Sequence, residues 1–476
     1  MNRKTAGIVG AAGSLAVIAA LLGARDSGSS VVTTRPPPPP QPALCGLTAP
    51  ARASADFGSG TLTAALSGAK VLRGGDGEVF VAIDVVAREA QVASRPPMSL
   101  AIVIDHSGSM QGEKIARARD AARGLIERMG ERDRVALIQY DDTAETLVPS
   151  TATDEAGKQR LLAAIEGIQD AGGTNLHGGL VLGRDQIMAA VSTGHVNRVI
   201  LLSDGNANVG VTDIPTLARM SGDAAERGVR ITTVGLGNDY NEDLMEAIAE
   251  NGRGQYYYVK DAGTLDAVFA GELKAIQATV ATAAELRLEP ACAGVEIVEV
   301  FGYVTRREGA SVIVPLADVA GGDKRKLVAR VRIPTGADGA AGVVAASLGF
   351  ATPAGERRSV EARVGVELTS DVAAVERSAD AEVLAKVEQA DTAVAVRRAA
   401  EAYQRGDQAG ALKVISDKRD QAQKRAVRYK MKEADMKPVF ENLDSMGAGM
   451  ASTAPSEPAA PAMTKAAKSA AYQLAK

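Results

Sequence analysis

Asp105, Ser107 and Ser109 lie in the run Ile-Val-Ile-Asp-His-Ser-Gly-Ser-Met that ends at residue 110. The run begins as an unbroken apolar stretch, which reads as a buried strand, and passes into a helical pattern from residue 112. One carboxylate and two hydroxyls in such a strand-to-helix turn place three hard oxygens within a few ångströms of one another. Hard oxygens suit Mg²⁺, which takes about six of them near 2.0–2.1 Å. Three cannot fill that shell, so other loops have to contribute. Two are suited to it. Gly172-Gly173-Thr174-Asn175 precedes a helix and offers the Thr174 hydroxyl, while Ser203-Asp204-Gly205-Asn206 follows the apolar run 199–202 and offers the Asp204 carboxylate. All three loops fall at the carboxyl edge of a parallel sheet, where open α/β folds bind ligands.

Competing chemistries use the same residues. Asp-x-Ser-x-Ser alone is also what a helix cap would use, its oxygens holding free backbone N–H groups. Three loops in this order weigh against that reading. His106 and His177 flank the site and could hold zinc, although a loop histidine without metal is the commoner occurrence. Ser107, His177 and Asp204 could assemble a serine hydrolase, but no G-x-S-x-G elbow supports one. Asp141 and Asp142 could form an adjacent cation site, yet Tyr-Asp-Asp after a strand usually marks a turn. No P-loop is present to bind ATP.

The elements that position these residues follow from periodicity. Apolar runs at 100–104, 135–138, 199–202 and 231–234 alternate with helical patterns near 112–129, 155–168, 176–190, 214–227, 242–250 and 264–276. Such alternation predicts a doubly wound, mostly parallel, Rossmann-like sheet covered by helices on both faces. Val79, Val81, Ile83 and Val85 recur with period two, and strand-like segments recur between 285 and 368, separated by turns. These predict an antiparallel β-sandwich, split by insertion of the α/β segment. Residues 256–258, three tyrosines, read as an edge strand. The expected organisation is a signal peptide or membrane anchor at 1–26, a Pro/Ser-rich linker at 27–57, first sandwich strands at 58–95, and the α/β domain at 96–277. The remaining sandwich follows at 278–370, then a helical region at 371–445 and a low-complexity tail at 446–476. Disorder is expected over 447–461, and a short helix after it.

In its order of Asp-x-Ser-x-Ser, then Thr, then Asp-Gly, the chain is similar to the metal-ion-dependent adhesion site of von Willebrand factor A and integrin I domains. The resemblance covers about residues 98–275 and its motif is complete. It implies that Ser107, Ser109 and Thr174 touch a divalent cation directly, Mg²⁺ or else Mn²⁺ or Ca²⁺. Asp105 and Asp204 would act chiefly through waters or as outer hydrogen-bond acceptors. An acidic residue of a protein partner would take the last coordination position. His106 departs from the family pattern but leaves the oxygen set intact. Two carboxylates around one dication leave it roughly neutral. Without the cation they would repel each other in a partly buried place.

Bulk properties narrow the function classes. The chain has 476 residues, enough for two or three domains, with 46% hydrophobic and 24% charged residues. A net charge of −4, 3% aromatic residues and no Trp argue against a nucleic-acid partner. Cys45 and Cys292 are compatible either with one disulfide outside the cytosol or with two free thiols. Arg3 and Lys4 precede an uncharged stretch, 5–24, ended by Arg25 and Asp26. That pattern predicts export to the periplasm or cell envelope, by a cleaved signal or an uncleaved inner-membrane anchor. Gly7, Gly10 and Gly13 follow no strand and are not a dinucleotide fingerprint. The leading reading is a non-enzymatic, metal-dependent adhesion or assembly module, resembling bacterial envelope proteins of the von Willebrand A class. The alternatives are a subunit that works with an ATPase, as in chelatase or MoxR-like systems, and a hydrolase using Ser107. The sequence does not specify the oligomeric state.

Overall fold

The computed structural model describes residues 48–89, 97–189, 195–352, 355–457 and 459–475. The predicted export segment, 1–26, and the linker as far as residue 47 lie outside these. Among the described residues no helix is long and apolar enough to cross a membrane.

The described residues open with strands β1 (Arg52–Asp56), β2 (Gly60–Leu66), β3 (Lys70–Leu72) and β4 (Glu78–Ala87). Val79, Val81, Ile83 and Val85 of β4 point into one core, as their alternation requires. Phe80 and Ala82, on the opposite face, are buried as well, because a C-terminal helix covers them.

Next comes the α/β domain. In chain order it comprises β5 (Met98–Asp105), α1 (Glu113–Glu127), β6 (Arg134–Tyr140), β7 (Ala144–Ala152), α2 (Glu155–Glu166) and α3 (Leu176–Met188). It continues with β8 (Val196–Ser203), α4 (Ile214–Glu226), β9 (Val229–Leu236), α5 (Glu242–Asn251), β10 (Arg253–Val259) and α6 (Leu265–Gln277). The sheet order is β10-β9-β8-β5-β6-β7, parallel throughout except for the β6–β7 pair. Every residue of β5, β8 and β9 is buried, which is why apolar residues dominate their central stretches, with Arg198, Arg230, Thr232 and Thr233 as buried polar exceptions. Helices α1, α2 and α6 cover one face, while α3, α4 and α5 cover the other. Asp154, Asn175, Asp213 and Asn241 each cap a helix by accepting a backbone N–H. This is the predicted fold class. The antiparallel edge strand β7 was not anticipated, since Val148 alone of its side chains is fully buried and Pro149 breaks its pattern.

After α6 come β11 (Thr279–Pro290), β12 (Glu296–Val300), β13 (Arg306–Glu308), β14 (Ser311–Ala320), β15 (Lys324–Arg332), β16 (Gly339–Ala351) and β17 (Arg357–Thr369). The sheets β1-β2-β4-β15-β12 and β13-β14-β11-β16-β17-β3 enclose one apolar core between them. β4 pairs with β15, setting Ile83 opposite Leu327, and β3 pairs with β17. The α/β domain is therefore inserted between two parts of a single sandwich. Buried charges join the two: Arg230 meets Asp318 of β14 at 2.7 Å, and Arg198 pairs with Asp318 at 3.5 Å and with Glu272. Cys292 is disulfide-bonded; the second cysteine of the sequence, Cys45, is outside the described residues.

The C-terminal part forms α7 (Val372–Arg377), α8 (Ala381–Gln404), α9 (Gln408–Arg428), α10 (Glu433–Ser452) and α11 (Ala460–Ala475). Gly406, at φ +87°, ends the α8 turn in a conformation that favours glycine. The expected disorder over 447–461 is not what the structure shows, because α10 continues to Ser452 with Met446 and Met450 buried. α11 docks on the α/β domain. Lys468 meets Asp243 at 2.8 Å, Lys465 lies 3.9 Å from the centre of the Tyr240 ring, and Tyr472 packs edge-on against Tyr256. An alanine-rich composition with Lys465 and Lys468 hides this in the sequence, since each lysine buries its stem against a partner rather than facing water.

Asp318 neutralises two arginines at the junction, so Asp318→Ala is expected to cost about 3–5 kcal/mol. Urea unfolding followed by circular dichroism and tyrosine fluorescence measures this loss.

Candidate metal centre

Strand β5 ends at Asp105 and its neighbour β8 at Ser203, so residues 105 and 204 emerge side by side at one sheet edge. Both carboxylates are fully buried. Asp105 Oδ1 accepts the Ser107 backbone N–H at 2.9 Å, and its Oδ2 accepts Ser203 Oγ at 2.8 Å. A single turn, Gly108–Met110, then lifts Ser109 over the edge. Ser109 Oγ donates to Asp204 Oδ1 at 2.6 Å and lies 3.1 Å from Ser107 Oγ. With its O–H directed at Asp204, Ser109 accepts from Ser107 and keeps a lone pair for another group.

The third loop is held by backbone bonds. Gly108 N–H donates to the Gly172 carbonyl at 3.1 Å, and Asn175 N–H to the Asp141 carbonyl at 2.6 Å. Asn208 Oδ1 accepts from Thr174 N–H at 2.8 Å. A Cβ placed on Gly205 would lie 3.2 Å from Thr174 Oγ1 and 3.3 Å from Ser109 Oγ, so both hydroxyls border that glycine. The structure thus gathers all five residues singled out in the sequence: Asp105, Ser107, Ser109, Thr174 and Asp204. Below them, Tyr140 of β6 donates to the Leu202 carbonyl of β8 at 2.8 Å, bracing the strands on either side of β5.

Burial pushes the Asp105 carboxyl above its ordinary range. Hydrogen bonds from Ser107 and Ser203 oppose the shift, and the charge of Asp204 adds to it. The oxygen set fits a hard divalent cation: two buried carboxylates and three hydroxyls, with no soft ligand among them.

Three groups at the centre were not found by sequence reasoning. Lys114 donates to Asp204 Oδ2 at 2.6 Å and to the Ser109 carbonyl at 3.2 Å. A cation in the first turn of α1 opposes the helix dipole, a signal that it has a specific partner. Ser203 and Asn208 carry no such signal, since their roles depend on which strands and loops are neighbours. The alternative groupings are not assembled. His106 uses Nδ1 on the Gln169 carbonyl at 2.7 Å, and its Nε2 lies 3.9 Å from Asp141. Among the described residues no hydrogen bond joins His177 to Ser107 or Asp204. Asp141 caps its own turn by accepting from Thr143 N–H at 2.8 Å.

Comparison with known proteins places this geometry. Residues 99–271 match the model of the von Willebrand factor type A domain. A curated relative, YfbK of Escherichia coli (strain K12), itself described as uncharacterized, is 30% identical over 227 residues, 47% of this chain and 39% of that protein. The chain thus spans well under two thirds of the length of that relative. Among solved structures, a von Willebrand factor type A protein from Catenulispora acidiphila matches with a TM-score of 0.67 at 18% identity, over 83% of this chain and 92% of its own. The ArnB paralog VWA2 from Sulfolobus acidocaldarius matches with a TM-score of 0.58 at 17% identity, over 88% and 99%. At these identities the structural matches speak for the fold alone, and they extend well beyond the α/β part. The chain carries a von Willebrand factor type A domain, formed by residues 99–271.

Proposed function

We propose that this protein is a metal-ion-dependent protein-binding module of the cell envelope, and that it performs no catalysis. The observation that carries the reading is the meeting of the Ser107, Ser109 and Thr174 hydroxyls beside two fully buried carboxylates. Protein recognition is the usual task of the domain, and a cation held by these oxygens would offer a vacant position to an acidic side chain of a partner. Mg²⁺ is the first choice, with Mn²⁺ and Ca²⁺ as substitutes. Asp105 and Asp204 supply the negative charge, and the hydroxyls supply the neutral donors that leave the cation electrophilic. Export is supported by the basic and then apolar pattern of residues 3–24.

Calorimetric titration of the chain with MgCl₂ and MnCl₂ tests the centre. Wild type is expected to bind one ion, and Thr174→Ala to weaken binding by tenfold or more, about 1.4 kcal/mol, with an unchanged circular dichroism spectrum. A cross-linked pull-down from envelope extracts should recover partners in Mg²⁺ and lose them in EDTA. Equal recovery in both sinks the reading.

The Asp105 carboxyl supplies a stability test. Its folded pKa is raised, so the folded state resists ionisation, and the cost develops as pH rises through and above the unfolded value near 4. In EDTA at pH 7, Asp105→Asn is therefore expected to raise Tm by a few degrees. The gain should shrink as pH falls towards 4, and the variant should lose the Tm increase that Mg²⁺ gives wild type.

A further inference from the structure

The two buried carboxylates differ in one respect. Asp105 is met by neutral donors, the Ser107 N–H and the Ser203 hydroxyl. Asp204 divides its oxygens between the Ser109 hydroxyl and the ammonium of Lys114, each at 2.6 Å. Lys114 has a second anchor at the Ser109 carbonyl, 3.2 Å away, and its side chain keeps about a third of its exposure, 31% against 0% for Asp204. The oxygen of Asp204 that serves the hydroxyl cluster is therefore not the one that holds the lysine. A cation bound by the hydroxyls and Lys114 do not compete for the same atom.

We infer that Lys114 is a resident counter-ion of Asp204 that stays in place when a divalent cation is bound, giving the loaded centre a net positive charge and so selecting a carboxylate-bearing partner. The inference rests on the metal-dependent reading above. Two carboxylates and one ammonium leave the empty centre with one negative charge, and a dication turns this into one positive charge. Without the lysine the loaded centre would be neutral, and an acidic side chain would gain far less by desolvating itself there. Asp141 and Asp142 also face this edge, against Gly172 and Gly173. Asp142 is exposed, where solvent and salt screen it, and Asp141 spends one oxygen on the Thr143 N–H and hydroxyl. The same lysine lowers affinity for the cation itself, since like charges a few ångströms apart repel. Lys114 thus trades metal affinity for anion selectivity, as a positioning residue that acts through Asp204.

The test uses the full chain with Lys114→Met, Lys114→Gln and Lys114→Arg. Mn²⁺ affinity is measured by calorimetry, and carboxylate binding by the relaxation of ¹³C-acetate in the presence of the Mn²⁺-loaded protein. The neutral variants are expected to bind Mn²⁺ about tenfold tighter or more, yet to relax acetate several-fold less per bound ion. Lys114→Arg should resemble wild type in both measurements. Lys114→Gln keeps a hydrogen-bond donor for Asp204 and covers the case in which the methionine variant folds poorly. Unchanged or weaker Mn²⁺ binding in both neutral variants overturns the counter-ion role. Tighter binding with undiminished acetate relaxation overturns the claim that the lysine stays in place. A wild-type chain that takes up no Mn²⁺ at all refutes the metal reading itself, and this inference falls with it.

Discussion

Two carboxylates buried at the ends of adjacent parallel strands, Asp105 on β5 and Asp204 just after β8, impose the central constraint on this molecule. Like charges in a dry place raise the energy of the empty fold unless donors or cations meet them. The surrounding structure is organised to do so. Backbone N–H groups, two serine hydroxyls and a lysine converge on them, and the turn at 108–110 follows the path that makes those bonds possible. Compensation is uneven, and the unevenness has a chemical sense. Asp204 is neutralised within the chain, while Asp105 has only dipoles and leaves charge to be satisfied from outside.

The rest of the molecule supports that edge. The strands β5, β8 and β9 are buried at every residue, so the loops at their ends stand on the fully covered centre of the sheet. The sandwich grips the domain through Asp318, which meets Arg198 and Arg230. The helical part grips it through α8 and α11, where Arg397 pairs with Glu246 and Lys468 with Asp243. Buried ion pairs of this kind contribute orientation more surely than stability, because desolvation offsets much of their attraction.

Much of the fold class was legible in the residues, for identifiable reasons. Strands covered on both faces are mostly apolar or β-branched, and amphipathic helices must repeat every 3.6 residues, so 100–104, 199–202 and 231–234 with their intervening helices could be read directly. β7 was missed because an edge strand with little buried surface needs no pattern. The short closing helix was expected, but the docking of α11 was not, because alanine and lysine spell a docked helix and a solvated one alike, until Tyr240, Glu242 and Asp243 are known to face it.

Local chemistry and local periodicity were therefore written in the sequence alone: which residues carry hard oxygens, that they sit on strand-to-helix turns, and that the sheet between them is parallel. Tertiary structure decided what depends on neighbours far apart in the chain. It paired β4 with β15 across the inserted domain, brought Ser203 to Asp105 and Lys114 to Asp204, and folded the last helix back onto α5 and β10. The physical reason is the range of the forces involved. Periodicity reflects an element's exposure to its own surroundings, whereas pairing of strands and charges depends on which distant surfaces meet, and no single stretch of chain contains that information.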